Sequence, residues 1–123
     1  MSDASKVVIN LATGLEDAER VTIAFLVGGA AVERGRQVAM FLTKEAVRLA
    51  LPGYAEAVAC EGCPSLARLV EQYAEGGGEL MVCPICFNAR KLDQAELVAN
   101  ARLGGATPLW EWMGDNGATV FSY

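Results

Sequence analysis

Histidine is absent from this chain, and with it go the usual neutral-pH base and the commonest metal ligand. Any reactive thiol must draw its activation from backbone dipoles and cations instead. Positive charge is also scarce. Ten Lys and Arg stand against fifteen Asp and Glu, for a net charge of −5, and the basic residues form no run. That composition hardly supplies the basic face that nucleic acid requires, or the one that holds a helix on a membrane surface. Long apolar stretches are missing too. The longest, residues 21–32, is interrupted by Thr22, Gly28 and Gly29 and is too short to span a bilayer. The opening Met1-Ser2-Asp3-Ala4-Ser5-Lys6 runs straight into a strand-like segment and leaves no place for a secretory leader. The expected location is the cytoplasm, where thiols rest in the reduced state.

What the chain does carry is sulfur. Four cysteines fall in two C-x-x-C pairs, Cys60-Glu61-Gly62-Cys63 and Cys83-Pro84-Ile85-Cys86. In a reducing compartment they point to catalysis, sulfur carriage or metal binding rather than to a disulfide framework. The 123 residues are expected to form a single domain over 1–123. With 53% apolar residues, there is enough for a well-buried core or a buried subunit interface.

Residues 6–12 (KVVINLA) read as a short, β-branched, buried strand. Thr13-Gly14-Leu15-Glu16 is a turn, and Asp17 caps a helix running to about Glu33. There Val21, Phe25, Gly28 and Val32 follow helical spacing, while Ile23, Leu26, Val27 and Ala30 widen the apolar face. So broad a face suggests burial by a sheet and by a partner subunit. Gly35 closes the helix. Residues 37–42 (QVAMFL) form a second strand, and Thr43 caps a short helix over 44–51 that Pro52-Gly53 ends. The segment 54–63 is the least regular, with a short strand expected over 56–59. Pro64 opens a helix with Leu66, Leu69, Val70 and Tyr73 on its apolar face, stopped by Gly76-Gly77-Gly78. Residues 79–82 (ELMV) form a third strand that ends directly in Cys83. Part of 92–101 is expected to be helical, as is 108–113, and 118–123 reads as a terminal strand. Strands alternating with helices argue for a parallel sheet covered on both faces, an α/β fold.

This pattern gives the cysteines positions with chemical meaning. Cys83 stands at the carboxyl end of a strand, the edge where such sheets bind ligands. Pro prefers the first helical position, so Cys83 becomes an N-cap and Cys86 falls in the first turn. Unpaired helix N–H groups favour a thiolate there, and Arg90 adds positive charge. Cys63-Pro64 repeats the arrangement. Three readings stay open. Cys83 attacks or carries sulfur and Cys86 resolves it; or C-x2-C-x19-C-x2-C supplies a four-cysteine zinc site from Cys60, Cys63, Cys83 and Cys86; or the cysteines simply pack. The segment from Cys83 to Arg90 also resembles a phosphatase loop, but with six intervening residues rather than five. Thr13-Gly14 can be read as an anion site or, more simply, as a strand–helix turn. Trp110, Trp112 and Tyr123 are expected to pack in the core rather than line a pocket.

The whole pattern resembles the DsrE/DsrF-like family, with its TusD- and YchN-type members. The resemblance runs from the opening strand, Thr13-Gly14, Asp17 and the long helix to Leu103-Gly104-Gly105 and the strand at Thr119-Val120-Phe121. Its most specific part is Gly77-Gly78 leading through Glu79-Leu80-Met81-Val82 into Cys83-Pro84-Ile85-Cys86-Phe87-Asn88-Ala89-Arg90. Two departures stand out: Lys91 occupies the place of a usual Gly, and the Cys60/Cys63 pair lies outside the general pattern. The resemblance implies a Rossmann-like or flavodoxin-like three-layer domain of about five mostly parallel strands, with helices on both faces. It also implies assembly into trimers or hexamers, and sulfur relay through Cys83.

The expectation is therefore a small cytoplasmic sulfur-carrier or sulfurtransferase-like protein. Cys83 would carry a persulfide, Cys86 would assist or release it, and Arg90 with the helix N–H groups would hold the anion; Cys60 and Cys63 would be accessory thiols. A sulfur donor or acceptor protein and further copies of the chain are the expected partners, with no nucleic acid, no membrane and no cofactor. The alternatives are a zinc-stabilised oligomeric binding module and a dithiol redox protein.

Overall fold

Five strands, all parallel, form the central sheet of the computed structural model, which describes residues 6–57 and 61–123. They are β1 (Lys6–Leu11), β2 (Gln37–Leu42), β3 (Glu79–Val82), β4 (Ala101–Leu103) and β5 (Thr119–Ser122), in the order β4-β3-β2-β1-β5. The helices are α1 (Ala18–Glu33), α2 (Tyr54–Ala57), α3 (Leu66–Glu75), α4 (Pro84–Ala89) and α5 (Ala106–Met113), with a 3-10 stretch over Lys44–Ala50. From β1 to β4 the chain steps one strand at a time in a single direction. Right-handed crossovers then place α1, α3 and α4 on one face. The connection from β4 to β5 runs back across the sheet and places α5 on the other. This is the three-layer α/β arrangement expected from the sequence.

Strand alternation decides what packs where. Val7, Ile9 and Leu11 join Val38, Met40, Leu42, Leu80 and Val82 in one buried cluster with Val21, Phe25 and Tyr73 of the covering helices. Phe25 and Tyr73 meet edge-on with ring centroids 5.6 Å apart. Gly28 allows α1 to lie close, since a Cβ there would sit 3.1 Å from Ile9 Cδ1 and 3.2 Å from Met40 Cε. Residues of the opposite parity, Val8, Ala39 and Met81, are buried as well. Gly104 marks how tightly α5 covers that side: a Cβ there would approach Met81 Cγ to 3.0 Å and Pro108 Cβ to 3.4 Å. Cover on both faces is why the central strands read as continuous apolar runs.

Four expectations need correction. Glu56 and Ala57, expected in a strand, belong to α2, while Val58 and Ala59 lie outside the described residues. The fifth strand is β4, in a stretch expected to be partly helical, where only Gln94–Glu96 forms a 3-10 turn. At three residues with Arg102 in the middle, that edge strand is too short and polar to show a strand period. Ser65, not Cys63, caps α3, its hydroxyl accepting the Arg68 N–H at 3.4 Å. Trp110 is 70% exposed rather than in the core, because its place on α5 faces away from the sheet. Among the described residues no helix is long and apolar enough to cross a membrane.

Candidate functional site

Backbone hydrogen bonds tie the carboxyl ends of the three central strands together. Thr43 N donates to Leu11 O and Cys83 N to Leu42 O, both at 3.0 Å. Three loops therefore leave the sheet side by side, on the edge where parallel α/β sheets place their ligands. Cys83 is the N-cap of α4 and Pro84 stands at the helix start, as the Cys-Pro step predicts. The Cys83 carbonyl accepts the Phe87 N–H at 3.0 Å, and fully buried Phe87 anchors the helix in the core. Cys83 and Cys86 are both free thiols, each half-buried.

Arg90 ends α4 and folds back over the site. Its Nη1 donates to the Cys86 carbonyl at 3.1 Å and its Nε to Glu45 Oε2 at 2.6 Å. The other Glu45 oxygen accepts Arg48 Nε at 2.8 Å. The 3-10 winding explains that second pair. With three residues per turn, side chains at i and i+3 eclipse, so the stretch presents three columns. Ala46 with Leu49, and Val47 with Ala50, are buried. Glu45 over Arg48 is the column left facing the sheet edge. The Arg90 hydrogen bond first, and the Arg48 one next, hold the Glu45 carboxyl below its usual range. Glu45 in turn raises Arg90, and the Cys86 thiol and Glu16 carboxylate share the electrostatic surroundings of that guanidinium.

The loop after β1 closes this edge. Tyr54 Oη accepts the Leu15 N–H at 2.9 Å, and Glu16 Oε1 accepts the Gly14 N–H at 3.0 Å. Position 14 is tightly hemmed in, since a Cβ would fall 2.8 Å from Tyr54 Oη and 3.0 Å from Glu45 O. Burial is the main cause that raises the Tyr54 phenol, so its hydroxyl keeps its proton. The N–H groups of Gly14 and Leu15 are thus taken up by Glu16 and Tyr54.

The structure brings Cys83, Cys86 and Arg90 onto one helix at one edge. Cys63 is disulfide-bonded, and with Cys83 and Cys86 free no disulfide joins it to either of them. Cys60 lies outside the described residues. Among the described residues, no group of three or more His, Cys, Asp or Glu side chains is placed to hold a metal ion. Glu45, Arg48 and Tyr54 had not been singled out from the sequence. The E-x-x-R spacing at 45–48, directly after a strand, was the available signal, but it reads equally as a helical surface pair. Lys44 and Lys91, which flank Glu45 and Arg90, both have left-handed backbone, with φ of 55° and 56°.

The fold has solved counterparts. The ychN protein from E. coli matches with a TM-score of 0.78 at 19% identity, covering 97% of this chain and 99% of that one. A conserved protein of unknown function from Bacteroides thetaiotaomicron gives 0.68 at 18% identity, over 100% and 98% of the two chains. One from Methanobacterium thermoautotrophicum gives 0.67 at 11%, over 96% and 98%. At such identities the likeness establishes the fold alone. No curated protein matches the sequence. The DsrE/DsrF-like family model matches residues 5–122, nearly the whole chain. With the strand–cysteine–helix junction in the position that the resemblance assigned to it, this chain belongs to the DsrE/DsrF-like family.

Proposed function

We propose that the protein is a small cytoplasmic sulfur carrier, sulfurtransferase-like in its chemistry, with Cys83 as the carrier thiol. The observation that carries this reading is the junction itself: two free, half-buried thiols, Cys83 at the N-cap of α4 and Cys86 in its first turn, with Arg90 bonded to the Cys86 carbonyl. Family membership supports sulfur relay as the setting. In the forward step the Cys83 thiolate attacks the terminal sulfur of a donor persulfide. The donor S–S bond breaks, its thiolate leaves with the electron pair, and Cys83 holds the new persulfide. Cys86 can then attack the inner sulfur of that persulfide, forming a Cys83–Cys86 disulfide and expelling hydrosulfide. Alternatively, an acceptor thiolate takes the outer sulfur and Cys83 returns unchanged.

Assembly with further copies of the chain belongs to the same reading. Ile23 and Leu26 on α1 are 43% and 44% exposed, which supports an oligomer built on apolar contacts. The test of the carrier is direct. Reduced protein is treated with a sulfane-sulfur donor and its intact mass is measured. Gain of one sulfur atom that disappears in Cys83→Ser is expected; no gain, or a gain that survives Cys83→Ser, sinks the reading. Metal analysis of protein purified without chelator tests the zinc alternative. About one zinc per chain, with unfolding on chelation, would favour that reading instead.

A further inference from the structure

Arg90 is the cation nearest in sequence to the two thiols, yet its charge is already engaged. Glu45 Oε2 lies 2.6 Å from its Nε, and the same carboxylate also engages Arg48 at 2.8 Å. Neither arginine is sealed away, with side chains 25% and 35% exposed for Arg90 and Arg48. Two cations from separate elements therefore converge on one carboxylate, and one of them, Arg90, also holds the Cys86 carbonyl. Lys44 and Lys91 are the exposed neighbours of this pair in the chain, and Glu16 is the other acid in the surroundings of Arg90.

Resting on the carrier reading above, we propose that Glu45 is a specificity-determining residue of this edge, a built-in competitor that limits how strongly Arg90 and Arg48 attract an anion to the thiols. A carrier must release what it accepts. A persulfide anion on Cys83 or Cys86 has to share these guanidinium groups with a carboxylate that is always present, so it is held weakly enough to leave. Removing the Glu45 charge exposes both cations and favours anionic reagents over neutral ones. The competitor is built in by the fold: the 3-10 column fixes Glu45 over Arg48, and the Cys86 carbonyl fixes Arg90 beside it.

The experiment compares alkylation of the reduced protein by iodoacetate, an anion, with alkylation by neutral iodoacetamide of similar size. Their rate ratio reports the charge around the thiols, whereas a change in folding or access moves both rates together. Glu45→Gln is expected to raise the iodoacetate-to-iodoacetamide ratio by roughly five- to tenfold at low salt, the scale of one screened charge close by. Adding Arg90→Gln to that variant should return the ratio towards wild type. Should Glu45→Gln fold poorly, Arg48→Gln gives an independent arm: it removes a cation and should lower the ratio. An unchanged ratio in Glu45→Gln, or in Arg48→Gln, overturns the proposal. No sulfur donor is involved, so a responsive ratio without persulfide formation defeats the carrier reading alone. Persulfide formation with an unresponsive ratio defeats this proposal alone.

Discussion

Lys44 and Lys91 share a backbone conformation that neither side chain favours, and the residues beside them form the ion pair of the site. Their φ angles are 55° and 56°, and Glu45 meets Arg90 at 2.6 Å. Left-handed backbone costs a residue with a Cβ about 1–2 kcal/mol. At position 91 the departure noted in the sequence falls on left-handed backbone, where lysine carries this cost and glycine would not.

Lys91→Gly is accordingly predicted to stabilise the fold. Part of the relief is offset by the greater freedom of glycine in the unfolded chain, leaving a gain of roughly 0.5–1 kcal/mol. Thermal denaturation should show a rise of a few degrees. A lower melting temperature would mean that the lysine side chain contributes more than its backbone costs.

Tyr73 carries a polar group into the core. Its ring is fully buried, and its hydroxyl donates to the Glu79 carbonyl at 2.7 Å, joining the end of α3 to the start of β3. Burial, the largest cause, drives its phenol well above the ordinary value, so it remains a donor. Tyr73→Phe leaves that part-buried carbonyl without this partner and should cost about 1 kcal/mol. Chemical denaturation with an unchanged slope would measure it; no loss would place the hydroxyl bond among the negligible ones.

Acid should act partly through Glu45. Its folded pKa is depressed by Arg90 and then Arg48. Its contribution is therefore present above the ordinary value of 4.5 and lost as pH falls below it through the folded value. The stability difference between wild type and Glu45→Gln should shrink on going from about pH 5 to about pH 3, and should be smaller in high salt because the pair is partly exposed. A difference that is flat across this range would contradict the assignment.

Light scattering at micromolar concentration should return a mass above that of one chain. Ile23→Glu combined with Leu26→Glu should lower it, since both side chains are on the exposed flank of α1. A wild-type monomer would contradict assembly.

The extent to which the sequence disclosed this structure follows local physics. β1, β2, β3 and α1 were legible because continuous apolar runs and a capped helical period have few alternative readings. The Cys83 junction was legible for a related reason: proline after a strand leaves little choice but a helix start. β4 was not, because three residues beside a paired neighbour are ordered by that neighbour and not by their own pattern. Glu45 and Arg48 were missed because their partnership depends on 3-10 winding and on Arg90, 45 residues away, which no local spacing encodes.

Sulfur carriage on Cys83 can be read out directly. Reduced wild-type protein should be loaded with a sulfane-sulfur donor, blocked with an alkylating agent and digested, and the peptide holding Cys83 and Cys86 fragmented to locate the added sulfur. One extra sulfur is expected on Cys83, lost when an acceptor thiol is added before blocking. Sulfur found only on Cys60 or Cys63, or on no cysteine, would contradict it.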